Sequence, residues 1–170
     1  MNAVAETADR MEETVCSREG KYLTFSLASE EYGIGILKIK EIIGTMPITP
    51  VPGTPDFIKG VINLRGKVIP VIDLRLRFGM EPADYDEHTC IIVVEIEGTE
   101  GLVLMGVVVD EVSEVMNIRE DETEDTPAFG SNINTEYILG MAKKDGKVKI
   151  LLDIGKVLSP KEISALQNSL

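Results

Sequence analysis

The chain has 170 residues, a formal net charge of −12 and a hydrophobic fraction of 44%, enough for the core of one domain or two small subdomains. It contains no Trp and only 5% aromatic residues, so we expect a core of Val, Ile and Leu, which favours β-structure. The acidic balance argues against nucleic acid and anionic lipid as partners, because both repel a negatively charged surface.

The N-terminal part of the chain begins with a polar segment and continues with two predicted strands. Residues 1–19 are acidic and lack the apolar stretch of a signal peptide, so we expect a flexible tail there. Apolar residues alternate over 21–27 and again over 32–36, which predicts strands joined by a tight turn at 28–31.

The next segment carries helical spacing and then prolines. Apolar residues recur at intervals of three and four from 36 to 43, which predicts a short helix that ends at Gly44. Residues 46–52 contain three prolines and are expected to be extended. A single helical turn is predicted over 55–60, with Gly60 at its end.

A hairpin follows. The runs 61–64 and 68–72 predict strands around the turn 65–67, where a glycine supplies permissive dihedral angles. One helical turn over 73–78 and a polar linker over 79–87 are expected next.

The second half repeats this theme. Strands are predicted over 89–96 and 102–109, and the apolar pattern then continues at 112, 115 and 118. The acidic segment 120–125 is expected to be a loop. Residues 137–142 and 148–154 should pair across an Asp-Gly turn.

The chain should end in a helix with Ser159 as its N-cap. Asp73 and Asp153 both follow apolar runs and should cap the turns behind them. About ten short strands in two sets, with brief helices, indicate a mainly β fold of paired small antiparallel barrels.

The sequence contains few residues that could form a catalytic site or a metal site. His88 is the one histidine, and with Cys90 it forms at most half of a metal site. Cys16 and Cys90 lie in unlike settings and are expected to be free thiols. The chain also lacks the glycine-rich loops that hold phosphates. We therefore expect no catalytic residues, no metal and no cofactor.

Basic residues are concentrated between Lys59 and Arg77, with Asp73 as the one acid. Two interpretations stay open: the solvated face of alternating strands, or a positive patch for an acidic protein partner.

The segment from Ile48 to Leu74 contains the turn Asn63-Leu-Arg-Gly66 within a proline-rich and β-rich frame, and it resembles the signature stretch of the CheW family. The stretches 31–43 and 106–112 resemble the same family in the same order. The resemblance covers about residues 20–158, which is nearly all of the expected globular part.

The resemblance implies a mainly β fold of two intertwined five-stranded SH3-like β-barrel subdomains, with short helices and a C-terminal helix. We expect the tail over 1–19, the barrel subdomains over roughly 20–80 and 88–158 with exchange of strands, and the helix over 159–170.

The resemblance also implies a non-enzymatic adaptor. It would couple the cytoplasmic tip of a methyl-accepting chemotaxis receptor to the regulatory domain of the CheA histidine kinase, in the cytoplasm, and would reach the membrane only through receptors. A scaffold in a twitching or biofilm pathway is the alternative. In a CheA kinase this domain follows an ATP-binding domain, and in a CheV protein it is joined to a receiver domain. The sequence shows neither of these domains, so we expect the stand-alone adaptor.

Positions that match receptor-binding residues of the family are Arg65, Ile39, Glu41, Val112 and Val115. Positions that match kinase-binding or structural residues are Gly60, Asn63, Gly66 and Gly106.

For several of these positions a purely structural role is the alternative. Ile39, Val112 and Val115 could pack in the core, and Arg65 could be an exposed charge that aids solubility. Gly60 could supply the permissive dihedral angles at the C-terminus of a helix. A consistent mechanism places a receptor helix in a groove between the barrels, where apolar side chains supply affinity and charges set its register.

Overall fold

The structure, a computed structural model, describes residues 18–98, 101–126 and 136–169. Most of the expected tail, including Cys16, lies outside these residues. The strands are β1 Gly20–Leu27, β2 Glu30–Gly35, β3 Ile39–Gly44, β4 Ile58–Leu64, β5 Lys67–Asp73, β6 Cys90–Gly98, β7 Gly101–Val109, β8 Glu111–Ile118, β9 Thr123–Glu124, β10 Ile138–Lys144 and β11 Lys147–Leu152. The helices are α1 Leu74–Arg77 and α2 Pro160–Ser169, and 3-10 turns cover Ile36–Lys38, Glu120–Glu122 and Ile154–Lys156.

These strands form two sheets, which confirms the mainly β prediction. The five-stranded sheet has the order β3-β6-β7-β5-β4, and the six-stranded sheet has the order β8-β1-β2-β11-β10-β9. The expectation of five strands in each set is wrong for the second sheet, because β9 adds to β10 through Met141 and Ala142. β9 and the 3-10 turn before it occupy the segment 120–125, which was expected to be a loop.

Each sheet takes strands from both halves of the chain. The β1–β2 hairpin lies between β8 and β11, and the β6–β7 hairpin lies between β3 and β5. The outer contacts of these hairpins, β1 with β8 and β3 with β6, are antiparallel. Their inner contacts, β2 with β11 and β5 with β7, are parallel. The division of the chain at 20–80 and 88–158 stays a prediction.

The two sheets are built from corresponding hairpins. In β4–β5 and in β10–β11 the strand register shifts just before a glycine with positive φ, Gly60 at 139° and Gly140 at 158°. Both hairpins then turn through two residues with positive φ, 51° and 87° at 65–66 and 55° and 74° at 145–146. Such turns match the right-handed twist of paired strands, and both predicted hairpins are confirmed.

The largest cluster of buried side chains lies between the two sheets and is mostly aliphatic. Phe25 and Tyr32 stack in it at 5.9 Å between ring centres, and Phe78 continues the row towards Tyr137 at 4.9 Å. Smaller clusters cover the other face of each sheet. The aliphatic composition of the core therefore follows the expectation from the sequence.

The short helix predicted between 36 and 44 is wrong. Only Ile36–Lys38 form a 3-10 turn, and Ile39–Gly44 form strand β3 paired with β6. The burial of β3 alternates between half-buried and exposed residues. Backbone pairing with a strand far away in the sequence therefore outweighs a spacing that suits a helix.

The helical turn predicted over 55–60 is also wrong. A turn covers residues 56 and 57, and β4 already begins at Ile58. Gly60 lies inside this strand, where the backbone of Thr49 runs close beside it and bridges to Val61. Gly60 therefore permits a close backbone approach and does not end a helix.

The predicted caps are confirmed. Asp73 accepts a hydrogen bond from the N–H of Arg75 at 2.9 Å, and Asp153 accepts one from Gly155 at 3.2 Å. Ser159 and Glu162 exchange hydrogen bonds with each other's backbone N–H at 3.1 and 2.8 Å, which is a capping box at the start of α2.

A polar joint connects the two sheets. Asp110 lies between β7 and β8, where the chain passes from one sheet to the other. Its carboxylate accepts two hydrogen bonds from Arg75, at 2.7 and 2.6 Å, and one from the N–H of Ala28 at 2.9 Å. The joint therefore ties α1 and the β1–β2 turn to the crossover.

The linker after α1 is attached to the core through Tyr85, whose hydroxyl donates to the buried Asp73 carboxylate at 2.9 Å. Burial and this hydrogen bond raise the pKa of the Tyr85 hydroxyl well above its usual value.

Candidate partner-binding site

The β4–β5 turn presents an arginine on a fixed backbone. Arg65 has a φ of 51°, which is uncommon for a residue with a side chain. The side chain of Asn63 accepts a hydrogen bond from the N–H of Gly66 at 2.9 Å and so holds the turn closed. The guanidinium projects from this turn with 71% of its side chain exposed.

Arg65 forms an ion pair with Glu41 on β3, so the structure brings together these two predicted receptor-binding residues. The hydrogen bond from Arg65 holds the pKa of the Glu41 carboxyl below its usual range. Beside them, Lys40 and Glu95 form a second ion pair at 3.4 Å. Both pairs are solvated, so their main effect is on geometry and not on the stability of the fold.

These pairs border a groove of about 350 Å³, which we call the Arg65 groove. It is lined by Lys40, Glu41, Leu64, Arg65, Lys67, Ile69, Val93, Glu95 and Leu104. Ile69 and Val93 are buried at its floor, and Leu64 and Leu104 are half-buried. An apolar floor with charges of both signs around it suits an apolar side chain flanked by polar residues.

Two of the other predicted receptor-binding residues pack into the core between the sheets. Ile39 on β3 and Val112 on β8 occupy corresponding places, opposite Val94 and Phe25, and both contact the largest cluster. Val115 differs from them because 55% of it is exposed on β8, at the edge of the six-stranded sheet. Among the described residues that line the Arg65 groove, none is Ile39, Val112 or Val115.

The contacts give each predicted kinase-binding or structural residue a structural role. A Cβ on Gly60 would lie 2.0 Å from the carbonyl oxygen of Thr49, and one on Gly106 would lie 2.9 Å from Cγ2 of Ile91. Asn63 and Gly66 form the turn that carries Arg65. Kinase binding by these residues stays a prediction.

The basic segment does not form a free positive patch. Arg75 pairs with Asp110 at 2.6 Å and Arg77 with Glu162 at 3.6 Å, while Arg65 pairs with Glu41. Lys59 lies 5.9 Å from the centre of the Tyr85 ring. Three of the five cations are therefore paired within the chain, and binding of an acidic partner by this segment stays a prediction.

His88, which with Cys90 could form at most half of a metal site, lies in a turn just before β6. The imidazole of His88 is exposed and lies 3.6 to 3.7 Å from two carboxylates, and the thiol of Cys90 contacts the carbonyl of His88 at 3.4 Å. Over the described parts of the chain, no group of three or more His, Cys, Asp and Glu side chains is arranged to hold a metal ion.

The structure contains a second groove that was not predicted from the sequence. It has a volume of about 490 Å³, and Leu37, which is 96% exposed, stands beside it; we call it the Leu37 groove. It lies between the ends of β1 and β2 and Leu139 on β10, and Leu139 is 40% exposed. The consecutive apolar residues Ile36 and Leu37 were a possible signal, since both cannot point inwards from an extended chain.

No helix in the described segments is long and apolar enough to cross a membrane.

A model of the CheW-like domain matches residues 21–162 of the chain. The chain is 42% identical over 148 residues to the chemotaxis protein CheW of Klebsiella aerogenes, and this match covers 87% of each protein. It is 30% identical over 163 residues to the chemotaxis protein CheW of Treponema pallidum, with 94% of each protein covered.

The fold is similar to a crystal structure described as the scaffolding protein TtCheW from Thermoanaerobacter tengcongensis. The TM-score is 0.74 and the identity is 40%, and the match covers 85% of this chain and 97% of that one.

Proposed function

The chain belongs to the CheW family, and we propose that it acts as a non-enzymatic adaptor that holds a chemoreceptor tip at the Arg65 groove and a CheA-type kinase at a separate surface. The two relatives named above are chemotaxis proteins, and the alternative in twitching or biofilm signalling is not favoured. The expected place of action is the cytoplasm, at membrane receptor arrays.

The observation that carries the proposal is the Arg65–Glu41 pair at the edge of a groove with an apolar floor. A receptor tip is helical, and a helix can place one apolar side chain in such a groove and polar side chains beside it. Because the turn holds Arg65 in an unusual backbone conformation, the guanidinium is in position before the partner arrives. Glu41 then orients the guanidinium and sets the register of the helix.

We expect Arg65→Glu to weaken binding of receptor-bearing membranes by at least about tenfold, because it removes the cation proposed to contact the receptor and places a second carboxylate beside Glu41. The thermal melt should be unchanged, since the exposed turn contributes little to the core. Sedimentation with the membranes measures the binding.

Lys147→Glu is the matched control, because it makes the same change of charge in the corresponding β10–β11 hairpin. A charge swap, Glu41→Arg with Arg65→Glu, separates contact from structure: it restores the ion pair but removes the arginine from the turn. Restored binding in the swap, or equal losses of binding and of melting temperature in Arg65→Glu, would refute the contact role.

An adaptor needs a second surface, and we place the regulatory domain of the kinase at the Leu37 groove, because the exposed Leu37 and Leu139 both line this groove and give it an open apolar surface. Leu37→Glu should reduce association with the kinase by about tenfold or more and leave receptor binding intact. The experiment measures kinase phosphorylation with receptor membranes, with and without the chain. Loss of receptor binding in Leu37→Glu, with the kinase still bound, would reverse this placement.

A further inference from the structure

The Arg65 groove has a counterpart on the six-stranded sheet. Because the two sheets are built from corresponding hairpins, the apolar residues of the groove and Arg65 have equivalents in the strand pairing. Val71 faces Gly106 in one sheet as Leu151 faces Gly33 in the other. In the five-stranded sheet, Ile69 and Leu104 lie two residues before Val71 and Gly106. In the six-stranded sheet, Lys149 and Glu31 lie two residues before Leu151 and Gly33.

The apolar residues of the groove are replaced at this counterpart. Leu64, Ile69, Val93 and Leu104 correspond to Lys144, Lys149, Thr24 and Glu31. At the turn, Arg65 corresponds to Asp145, and the two turns share their backbone conformation. We call the counterpart, defined by Thr24, Glu31, Lys144, Asp145 and Lys149, the Lys149 surface.

The Lys149 surface is occupied by an ion pair between Lys149 and Glu31. Lys149 is only 6% exposed, at the place where the other sheet has the buried Ile69. The hydrogen bond from Lys149 holds the pKa of the Glu31 carboxyl below its usual range. Any apolar side chain placed here would have to displace the pair or desolvate it, and both are costly.

We propose that the Glu31–Lys149 pair and Asp145 determine specificity: they exclude the receptor helix from the Lys149 surface, so that one chain binds one receptor tip in one orientation. The inference rests on the proposed function, since it takes the receptor helix as the partner of the Arg65 groove. On the Lys149 surface, the ion pair stands where the Arg65 groove has its apolar floor, and Asp145 carries a negative charge where the groove has the positive charge of Arg65. Without this difference, two surfaces of similar backbone shape would compete for the same helix.

The test converts the Lys149 surface into a second Arg65 groove. The variant Glu31→Leu, Lys144→Leu, Lys149→Ile, Asp145→Arg carries the residues of the five-stranded sheet at the corresponding positions. Replacement of a buried ion pair by apolar residues of similar volume often preserves stability, so we expect the variant to fold. The probe is a helical-hairpin fragment of a receptor signalling tip, and calorimetry gives the number of fragments bound per chain.

We expect one fragment per wild-type chain and a second, weaker binding event in the variant. Amide NMR shifts of residues 143–147 should move on addition of the fragment in the variant only. A stoichiometry that stays at one in a variant with an unchanged melt would overturn the inference. Absence of binding to the wild-type chain would instead refute the proposed function, so the two failures are distinguishable.

A second variant covers the case in which the converted variant does not fold. Leu64→Lys places the lysine of the Lys149 surface at the half-buried edge of the Arg65 groove. If loss of the apolar floor is what excludes the helix, this variant should bind the fragment at least about tenfold more weakly at an unchanged melting temperature. Binding equal to that of the wild type would overturn the inference.

Discussion

Gly60→Ala is expected to destabilise the chain by on the order of 3 kcal/mol, which would lower the melting temperature by about 6–12 °C. The added Cβ would lie 2.0 Å from the carbonyl oxygen of Thr49 and 2.6 Å from its carbonyl carbon. Both are backbone atoms, and Thr49 is held there by two hydrogen bonds to Val61, at 2.8 and 2.9 Å. With a φ of 139°, the position also disfavours any residue with a side chain. This clash can be relieved only if the segment around Thr49 moves away from β4.

The matched control is Gly44→Ala, also in a strand of the five-stranded sheet, where a Cβ would have no described atom within 4 Å. We expect a change of at most about 0.5 kcal/mol there. Gly140→Ala, at the place corresponding to Gly60, should be costly as well, because its Cβ would lie 2.8 Å from the carbonyl oxygen of Glu124. Equal melting temperatures for Gly60→Ala and Gly44→Ala would contradict the structural role and favour a partner contact at Gly60.

Asp110→Ala is expected to cost about 2–3 kcal/mol, because it removes three hydrogen bonds at the joint between the sheets and leaves Arg75 unpaired. The side chains of Arg75 and Asp110 are only 19% and 29% exposed, so water replaces the lost partner incompletely. Urea unfolding at neutral pH measures the loss. Glu111→Ala, at the exposed neighbouring position, is the control and should be nearly neutral.

The joint also predicts a dependence on pH. Burial alone would raise the pKa of Asp110, but the hydrogen bonds from Arg75 and from the N–H of Ala28 hold it below its usual value. A carboxyl group with a lowered pKa in the folded state stabilises the fold above its unfolded pKa of about 3.9, and this contribution is lost as the pH falls through the folded value. The difference in unfolding free energy between the wild type and Asp110→Asn should therefore stay constant from neutral pH down to about pH 5 and shrink as the pH falls further. A difference that also stays constant at the lower pH would refute the charged joint.

Local patterns in the sequence predicted most of the elements. Asp145-Gly146 and Arg65-Gly66 marked the two hairpin turns, and Asp73 and Ser159 marked the caps, because each depends on the backbone preferences of a few neighbouring residues. The resemblance of residues 48–74 and 31–43 to a known family singled out Arg65 and Glu41, which the structure brings into contact.

Long-range pairing could not be predicted in the same way. The apolar spacing from 36 to 43 fits one face of a helix, yet Ile39–Gly44 form a strand because β6 pairs with their backbone along most of its length. The role of Gly60 was likewise hidden, since the approach of Thr49 is set by the fold of a separate segment. The floor of the Arg65 groove was missed because Ile69, Val93 and Leu104 come from three strands.

The alternation of the strands, the positions of the turns and the starts of the helices could be predicted from local sequence, because those features arise from interactions between residues close together in the chain. The placement of the β1–β2 and β6–β7 hairpins between strands of the opposite half follows instead from contacts between distant segments. The tertiary structure also places Lys149 with Glu31 where the other sheet has an apolar floor. Such choices depend on which distant surfaces bury each other, and the free energy of that burial belongs to the pair of surfaces and not to either segment alone.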